Sequence, residues 1–180
     1  AYVLLVIDKS GSMADTPEGF SDDKWTAMKS ALRTALESAK SELAFGLELF
    51  PDPRQCEMPE GSEMVVSVHA GSTSTPKIMD QLDKVLPGGG TPTARALERA
   101  FEYYASGKGA ALGSDRYVLL ATDGGPNCAA GVDCEVGACT VNLDGQCPER
   151  VSNCCDPAQA GNAITYTLTY ANDSQMTATG

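Results

Sequence analysis

Val3-Leu4-Leu5-Val6-Ile7-Asp8-Lys9-Ser10-Gly11-Ser12-Met13 is the stretch on which the fold turns. Val3 to Ile7 are all large and apolar, without the alternation of a strand that has one wet face. They predict a strand buried on both faces, as in a parallel sheet flanked by helices. The run stops at Asp8. Oxygen-bearing side chains then recur at every second position, Asp8, Ser10 and Ser12, with Gly11 permitting a tight turn. A carboxylate and two hydroxyls on one loop at the C-terminal edge of a parallel strand suit a small hard cation, not a catalytic triad.

A second apolar run, Arg116 to Ala121, predicts another fully buried strand that delivers Asp123 to the edge where Asp8 lies. Between the two runs the periods alternate. Trp25, Met28, Ala31, Leu32, Ala35, Leu36 and Ala39 mark one face of a helix, with Ser21, Asp22 and Asp23 offering caps. Leu43 to Phe50 reads as a strand alternating at Leu43, Phe45, Leu47 and Leu49. The Pro/Gly-rich segment from Pro51 to Gly61 then connects it to a short antiparallel edge strand, Met64 to His69, on which His69 is a half-exposed strand histidine. A second helix is expected to open at Ser74-Thr75-Pro76, with Ile78, Met79, Leu82, Val85 and Leu86 buried. Gly88, Gly89 and Gly90 end it. A phosphate loop is excluded there, because the Lys-Ser/Thr that would hold phosphate and magnesium is missing. A third helix is expected from Thr91-Pro92, with Thr91 as N-cap and Ala94, Leu97, Ala100, Phe101 and Tyr104 facing inward.

From Pro126 to about Gly161 these patterns give way to glycine, asparagine, proline and cysteine. Ile164 to Tyr170 reads as one further strand, and Ala171 to Gly180 as a loose polar tail. With 180 residues the chain is expected to form a single domain, residues 1–180, carrying a Cys-rich insert at about 126–161. Acidic residues outnumber basic ones by 24 to 13, a net charge of −11 with no Lys/Arg cluster, which argues against nucleic acid and anionic membranes as partners. No apolar run reaches the roughly 20 residues needed to span a bilayer, so direct membrane insertion of this segment is not expected. A chain that opens almost inside a core strand reads as a segment of a longer precursor.

Cys128, Cys134, Cys139, Cys147, Cys154 and Cys155 crowd the insert, with Cys56 apart from them. This density reads as disulfides in an exported protein. Zinc fits worse, since there is no Cys-x-x-Cys pair and His69 is the sole histidine. Seven cysteines leave at least one thiol free or paired elsewhere, and the connectivity stays open, a bridge from Cys56 to the insert among the alternatives.

The Asp8-x-Ser10-x-Ser12 loop resembles the von Willebrand factor A family, whose metal-ion-dependent adhesion site begins Asp-x-Ser-x-Ser. The family pattern continues with a threonine and an aspartate. Here these match Thr91, in Gly89-Gly90-Thr91-Pro92, and Asp123, in Thr122-Asp123-Gly124. The resemblance covers residues 1 to about 125. It implies an α/β, Rossmann-like fold: a mostly parallel central sheet with helices on both faces and one antiparallel edge strand, the C-terminal part atypical or truncated. It further implies that Asp8, Ser10, Ser12, Thr91 and Asp123 hold Mg2+, with Mn2+ or Ca2+ as alternatives. Ser10, Ser12 and in some members Thr91 touch the ion, while Asp8 and Asp123 act directly or through water. The function implied is non-enzymatic adhesion, the metal accepting an Asp or Glu carboxylate from a protein partner. The Cys-rich insert is similar to those of exported bacterial relatives, which implies a cell-surface, outer-membrane or extracellular setting, as an adhesin or lipoprotein. The alternatives are an intracellular assembly module of a chelatase-type ATP-driven machine, against which cysteine density argues, and a metal-dependent hydrolase, for which no general base stands out. The family's last strand and its switching C-terminal helix have no counterpart in the sequence.

Overall fold

The computed structural model describes residues 1–52, 56–123 and 128, together with the backbone of two later strands. The chain divides into two compact units, Ala1–Cys128 and Ala129–Gly180.

In the first unit the strands β1 (Tyr2–Asp8), β2 (Ala44–Phe50), β3 (Val66–Ala70) and β4 (Arg116–Ala121) form one sheet in the order β3-β2-β1-β4. β1 runs parallel to both β2 and β4, and β3 is the antiparallel edge strand. The helices are α1 (Lys24–Ala39), α2 (Gly71–Lys84) and α3 (Thr93–Ala105). The period of two in β1 divides them between the faces. Leu5 and Ile7 pack with Trp25 and Leu36 of α1 and Ile78, Met79 and Leu82 of α2, whereas Leu4 and Val6 pack with Ala96, Ala100, Tyr103 and Tyr104 of α3. The α/β sandwich expected from the sequence is present, with β1 buried as predicted. Among the described residues no helix is long and apolar enough to cross a membrane.

Several local expectations are corrected. β2 alternates in sequence, yet both its faces are buried: Phe45, Leu47 and Leu49 meet α1 and α2, while Glu48 and Phe50 lie on the α3 side. Glu48 is tolerated there because Arg99 of α3, itself buried, donates Nε–H to it at 2.8 Å. The same guanidinium donates to the carbonyls of Pro59, Gly61 and Glu63, so one side chain fastens the connector between β2 and β3. The buried stripe of α3 is Ala96, Arg99, Ala100, Tyr103 and Tyr104. Ala94 and Phe101 face solvent, because the ion pair and a hydrogen bond from the Val68 amide to the Tyr103 hydroxyl fix the rotation of the helix.

α2 begins at Gly71, three residues before the expected start, and Pro76 lies inside it. Tertiary packing sets that start. Gly71 sits so close to the backbone of Lys40 and Leu43 that a Cβ would lie 2.6 Å from their atoms, and its N–H donates to the Leu43 carbonyl. α2 ends at Lys84, which leaves Leu86 beyond it and exposed. In α1, Ala31 and Ala35 are likewise exposed, and Asp23 caps the helix by accepting from the Thr26 amide. His69 is exposed on edge strand β3.

β4 is the expected neighbour of β1 but not the expected fully buried strand. It is the outer strand of the described sheet, and Tyr117, Leu119 and Leu120 are exposed. The Tyr104 hydroxyl, whose pKa burial pushes up to about 12, lies within hydrogen-bond distance of the Tyr2 and Tyr117 carbonyls and ties α3 across the β1–β4 seam.

In the second unit β5 (Thr165–Thr169) and β6 (Gln175–Thr179) pair antiparallel, Thr165 opposite Thr179. β5 matches the strand expected near Ile164, whereas β6 replaces part of the tail expected to be loose. Apart from Cys128, the Cys-rich insert lies outside the described residues.

Among the described residues a disulfide joins Cys56 to Cys128, 72 positions apart. Closing so long a loop removes much of the freedom of the unfolded chain, a contribution of about 4 kcal/mol in the chain-entropy account. The double variant Cys56→Ala/Cys128→Ala is accordingly expected to lose about 2–5 kcal/mol in denaturant unfolding. An unchanged transition midpoint would remove the bridge from the stability of this unit.

Candidate metal centre

Because β1 is flanked by two parallel strands, the loops after β1, β2 and β4 all leave at one edge of the sheet. The β1–β4 register pairs Ile7 with Ala121, so the next rung sets Asp8 beside Thr122. There the Thr122 hydroxyl donates to Asp8 Oδ2 at 2.7 Å. Asp8 Oδ1 accepts the Ser10 amide at 2.7 Å, which turns the chain immediately after the strand. Ser12 donates its hydroxyl to Asp123 Oδ1 at 2.9 Å, and the Ser10 and Ser12 hydroxyls lie 3.2 Å apart. Since the single Ser12 proton goes to Asp123, Ser10 is the donor in that contact. Asp123 Oδ2 takes the Lys24 ammonium at 2.6 Å. A continuous chain of bonds thus runs from Thr122 through Asp8, Ser10, Ser12 and Asp123 to Lys24.

Asp8 and Ser10 are buried, and the glycine segment ahead of Thr91 is sewn to their loop. Gly11 N–H donates to the Gly89 carbonyl at 2.9 Å, and Gly88 N–H to the Lys9 carbonyl at 2.7 Å. Gly89, at φ 89°, adopts a backbone that other residues resist, which explains a glycine at this close crossing. Thr91 follows, 5% exposed. It is not the cap expected from sequence, since α3 begins at Thr93 with Pro92 at the N-cap position.

Four of the five residues singled out by sequence, Asp8, Ser10, Ser12 and Asp123, are therefore joined through hydrogen bonds, and the loop of the fifth is bonded to theirs. Two neighbours escaped the sequence reading. Thr122 could have been found from the strand register. Lys24, the first residue of α1, carries no local signal and is recognised by its contact alone.

Every potential donor among the five is an oxygen, and the two carboxylates come with hydroxyls instead of sulfur or imidazole, a set suited to a hard divalent ion. Among the described residues no three of His, Cys, Asp or Glu converge, so a cation held here would rely on hydroxyls as much as on acids. Ser12 directs its proton to a carboxylate and Ser10 directs its own along the chain of bonds, which leaves lone pairs on both oxygens for a cation.

A family model described as von Willebrand factor type A domain matches residues 3–126, a span that holds all five residues. Among solved structures, the PilB minor pilin from Streptococcus sanguinis is similar with a TM-score of 0.50 at 18% identity, over 69% of this chain and 30% of the pilin chain. A point mutant of that pilin gives 0.47 at 16% identity, over 68% of this chain and 29% of the mutant chain. An uncharacterized membrane spanning protein from Vibrio fischeri gives 0.44 at 18% identity, over 98% and 77% respectively. No match to a curated protein is found. This chain spans less than a third of the pilin's length, and at such identity the likeness concerns the fold alone.

Proposed function

This chain belongs to the von Willebrand factor type A domain family, and we propose that it is a non-enzymatic, metal-dependent protein-binding module of an exported or cell-surface protein. In this reading Asp8, Ser10, Ser12, Thr91 and Asp123 hold one divalent cation, Mg2+ foremost, with Mn2+ or Ca2+ as substitutes. The observation that carries it is the bonded chain from Asp8 to Asp123, which unites side chains more than a hundred positions apart through hydroxyls placed between two acids. A bound divalent ion would supply a Lewis-acidic position at which the Asp or Glu carboxylate of a partner protein replaces water.

The chain's own part is to pre-form that position. The Ser10 amide and the Thr122 hydroxyl fix both oxygens of Asp8, and the Gly88 and Gly89 bonds hold the Thr91 segment against the first loop. A net charge of −11 opposes an acidic partner at long range, but screening beyond about 8 Å at physiological salt leaves short-range contact to decide recognition.

The Cys56–Cys128 bridge supports two further parts of the proposal. A disulfide suits an oxidising compartment. It also ties the segment that follows β2, which leaves the sheet at the edge where the site lies, to a position five residues after Asp123 in sequence. The partner would contact this edge of the sheet beside the Cys56–Cys128 bridge.

A pull-down from surface extracts tests the function, run with and without chelator on the natural chain and on Asp8→Asn. Partner recovery is expected from the untreated natural chain and to fall by at least about tenfold in the other arms. Equal recovery in all arms would remove the site from the function.

A further inference from the structure

Each carboxylate oxygen of Asp8 and Asp123 already has a donor from the chain: the Ser10 amide, the Thr122 hydroxyl, the Ser12 hydroxyl and Lys24. Only Lys24 brings a full positive charge. Its backbone is fixed, because Asp23 caps the helix there and the Lys24 amide donates to the Asp15 carbonyl at 3.1 Å. Its side chain is a flexible stem, 31% exposed, reaching an aspartate whose side chain is 10% exposed. Asp15 and Asp8 add to the attraction on the ammonium.

We propose that Lys24 is a built-in competitor for the cation: its ammonium satisfies Asp123 in the cation-free protein and must yield, or endure repulsion at close range, when a divalent ion enters. The inference rests on the metal reading of the site and deepens it by naming what sets the affinity. Two like charges a few ångströms apart in a partly desolvated pocket repel by far more than thermal energy, so metal affinity falls by whatever it costs to displace the ammonium. The device has a structural benefit. Without Lys24, two carboxylates bridged by serines would face each other uncompensated in the empty site; with it, the loops stay assembled and ready. Because the Lys24–Asp123 pair is partly exposed, rising salt weakens it, and the handicap on metal binding shrinks as ionic strength increases.

The test is calorimetric titration of Mn2+ and of Mg2+ into the intact chain, its Lys24→Met variant and its Lys24→Arg variant, at low and at moderate salt. Trp25, adjacent to Lys24, buried and the single tryptophan of the chain, supplies an independent fluorescence readout. Lys24→Met is expected to bind the ion at least about tenfold more tightly, with the gap narrowing as salt rises, while Lys24→Arg keeps the charge and stays near the natural affinity. Circular dichroism of the variants confirms that the comparison is between folded chains. Equal or weaker affinity in Lys24→Met, with the natural chain still binding, overturns the inference and leaves the site standing. Absence of binding in all three chains overturns both.

Discussion

Asp8→Asn is expected to fold and to lose cation binding by at least about a hundredfold, more than the 10–100-fold typical of removing a group that only supports a metal ligand. The substitution keeps the shape of the side chain. Its carbonyl oxygen can still accept the Ser10 amide, and its new NH2 group can donate to the Thr122 hydroxyl, so both buried contacts of Asp8 survive with one direction reversed. What disappears is the charge. One remaining carboxylate, at Asp123, cannot balance a divalent ion, and Lys24 already neutralises it. Asp8→Ala would be harder to interpret, because it strands the buried Ser10 amide at about 1–3 kcal/mol as well as removing the ligand. A thermal-shift series in Mg2+ separates the two effects: Asp8→Asn should match the natural chain in chelator and fail to gain stability as metal is added. A normal metal-dependent gain in Asp8→Asn would take Asp8 out of the site.

The largest stability effect is expected at Arg99. Arg99→Ala removes the partner of a buried carboxylate and four hydrogen bonds at once, and should cost about 3–5 kcal/mol. In a domain of this size that corresponds to a fall in Tm of about 2–4 °C for each kcal/mol. Burial already raises the Glu48 pKa above its ordinary 4.5, with Arg99 opposing the rise. A carboxyl whose folded-state pKa is raised contributes most below its unfolded value, and the contribution is lost as pH rises through the folded value. Without Arg99 the rise is larger, so the deficit of Arg99→Ala should be greatest at neutral pH and shrink as pH falls toward 4.5. The double variant Glu48→Leu/Arg99→Met should recover much of the loss, since a buried ion pair exchanged for apolar side chains of similar volume is often neutral or better. A deficit that did not change with pH would locate the effect in the Pro59–Glu63 connector instead of in Glu48.

The sequence was most legible where one element determines its own surroundings. β1 could be read because Val3 to Ile7 are apolar on both faces and the strand lies between two others. The meeting of Asp8, Ser10, Ser12 and Asp123 could be anticipated because these residues follow strand ends, where chain direction alone brings them to one edge. Legibility failed where a distant partner decides. Arg99 is a charged residue in the middle of a buried stripe, and nothing local distinguishes it from the exposed Arg95 one turn earlier. Phe101 looks inward by hydropathy and faces solvent because Arg99 and Tyr103 fix the helix rotation. The start of α2 is set by Gly71 against Lys40 and Leu43, not by the Ser-Thr-Pro signal three residues later. β4 has the composition of a central strand, while its position in the described sheet is outermost, a fact that no property of its own six residues could reveal.

Anomalous diffraction from crystals of the intact chain grown with Mn2+ tests most directly whether five oxygen donors meet at one cation. A single strong peak is expected within direct ligand distance of the Ser10 and Ser12 hydroxyls, with Asp8, Thr91 and Asp123 around it either directly or through one water. A peak elsewhere, or no peak at these loops in crystals saturated with the ion, would contradict that meeting.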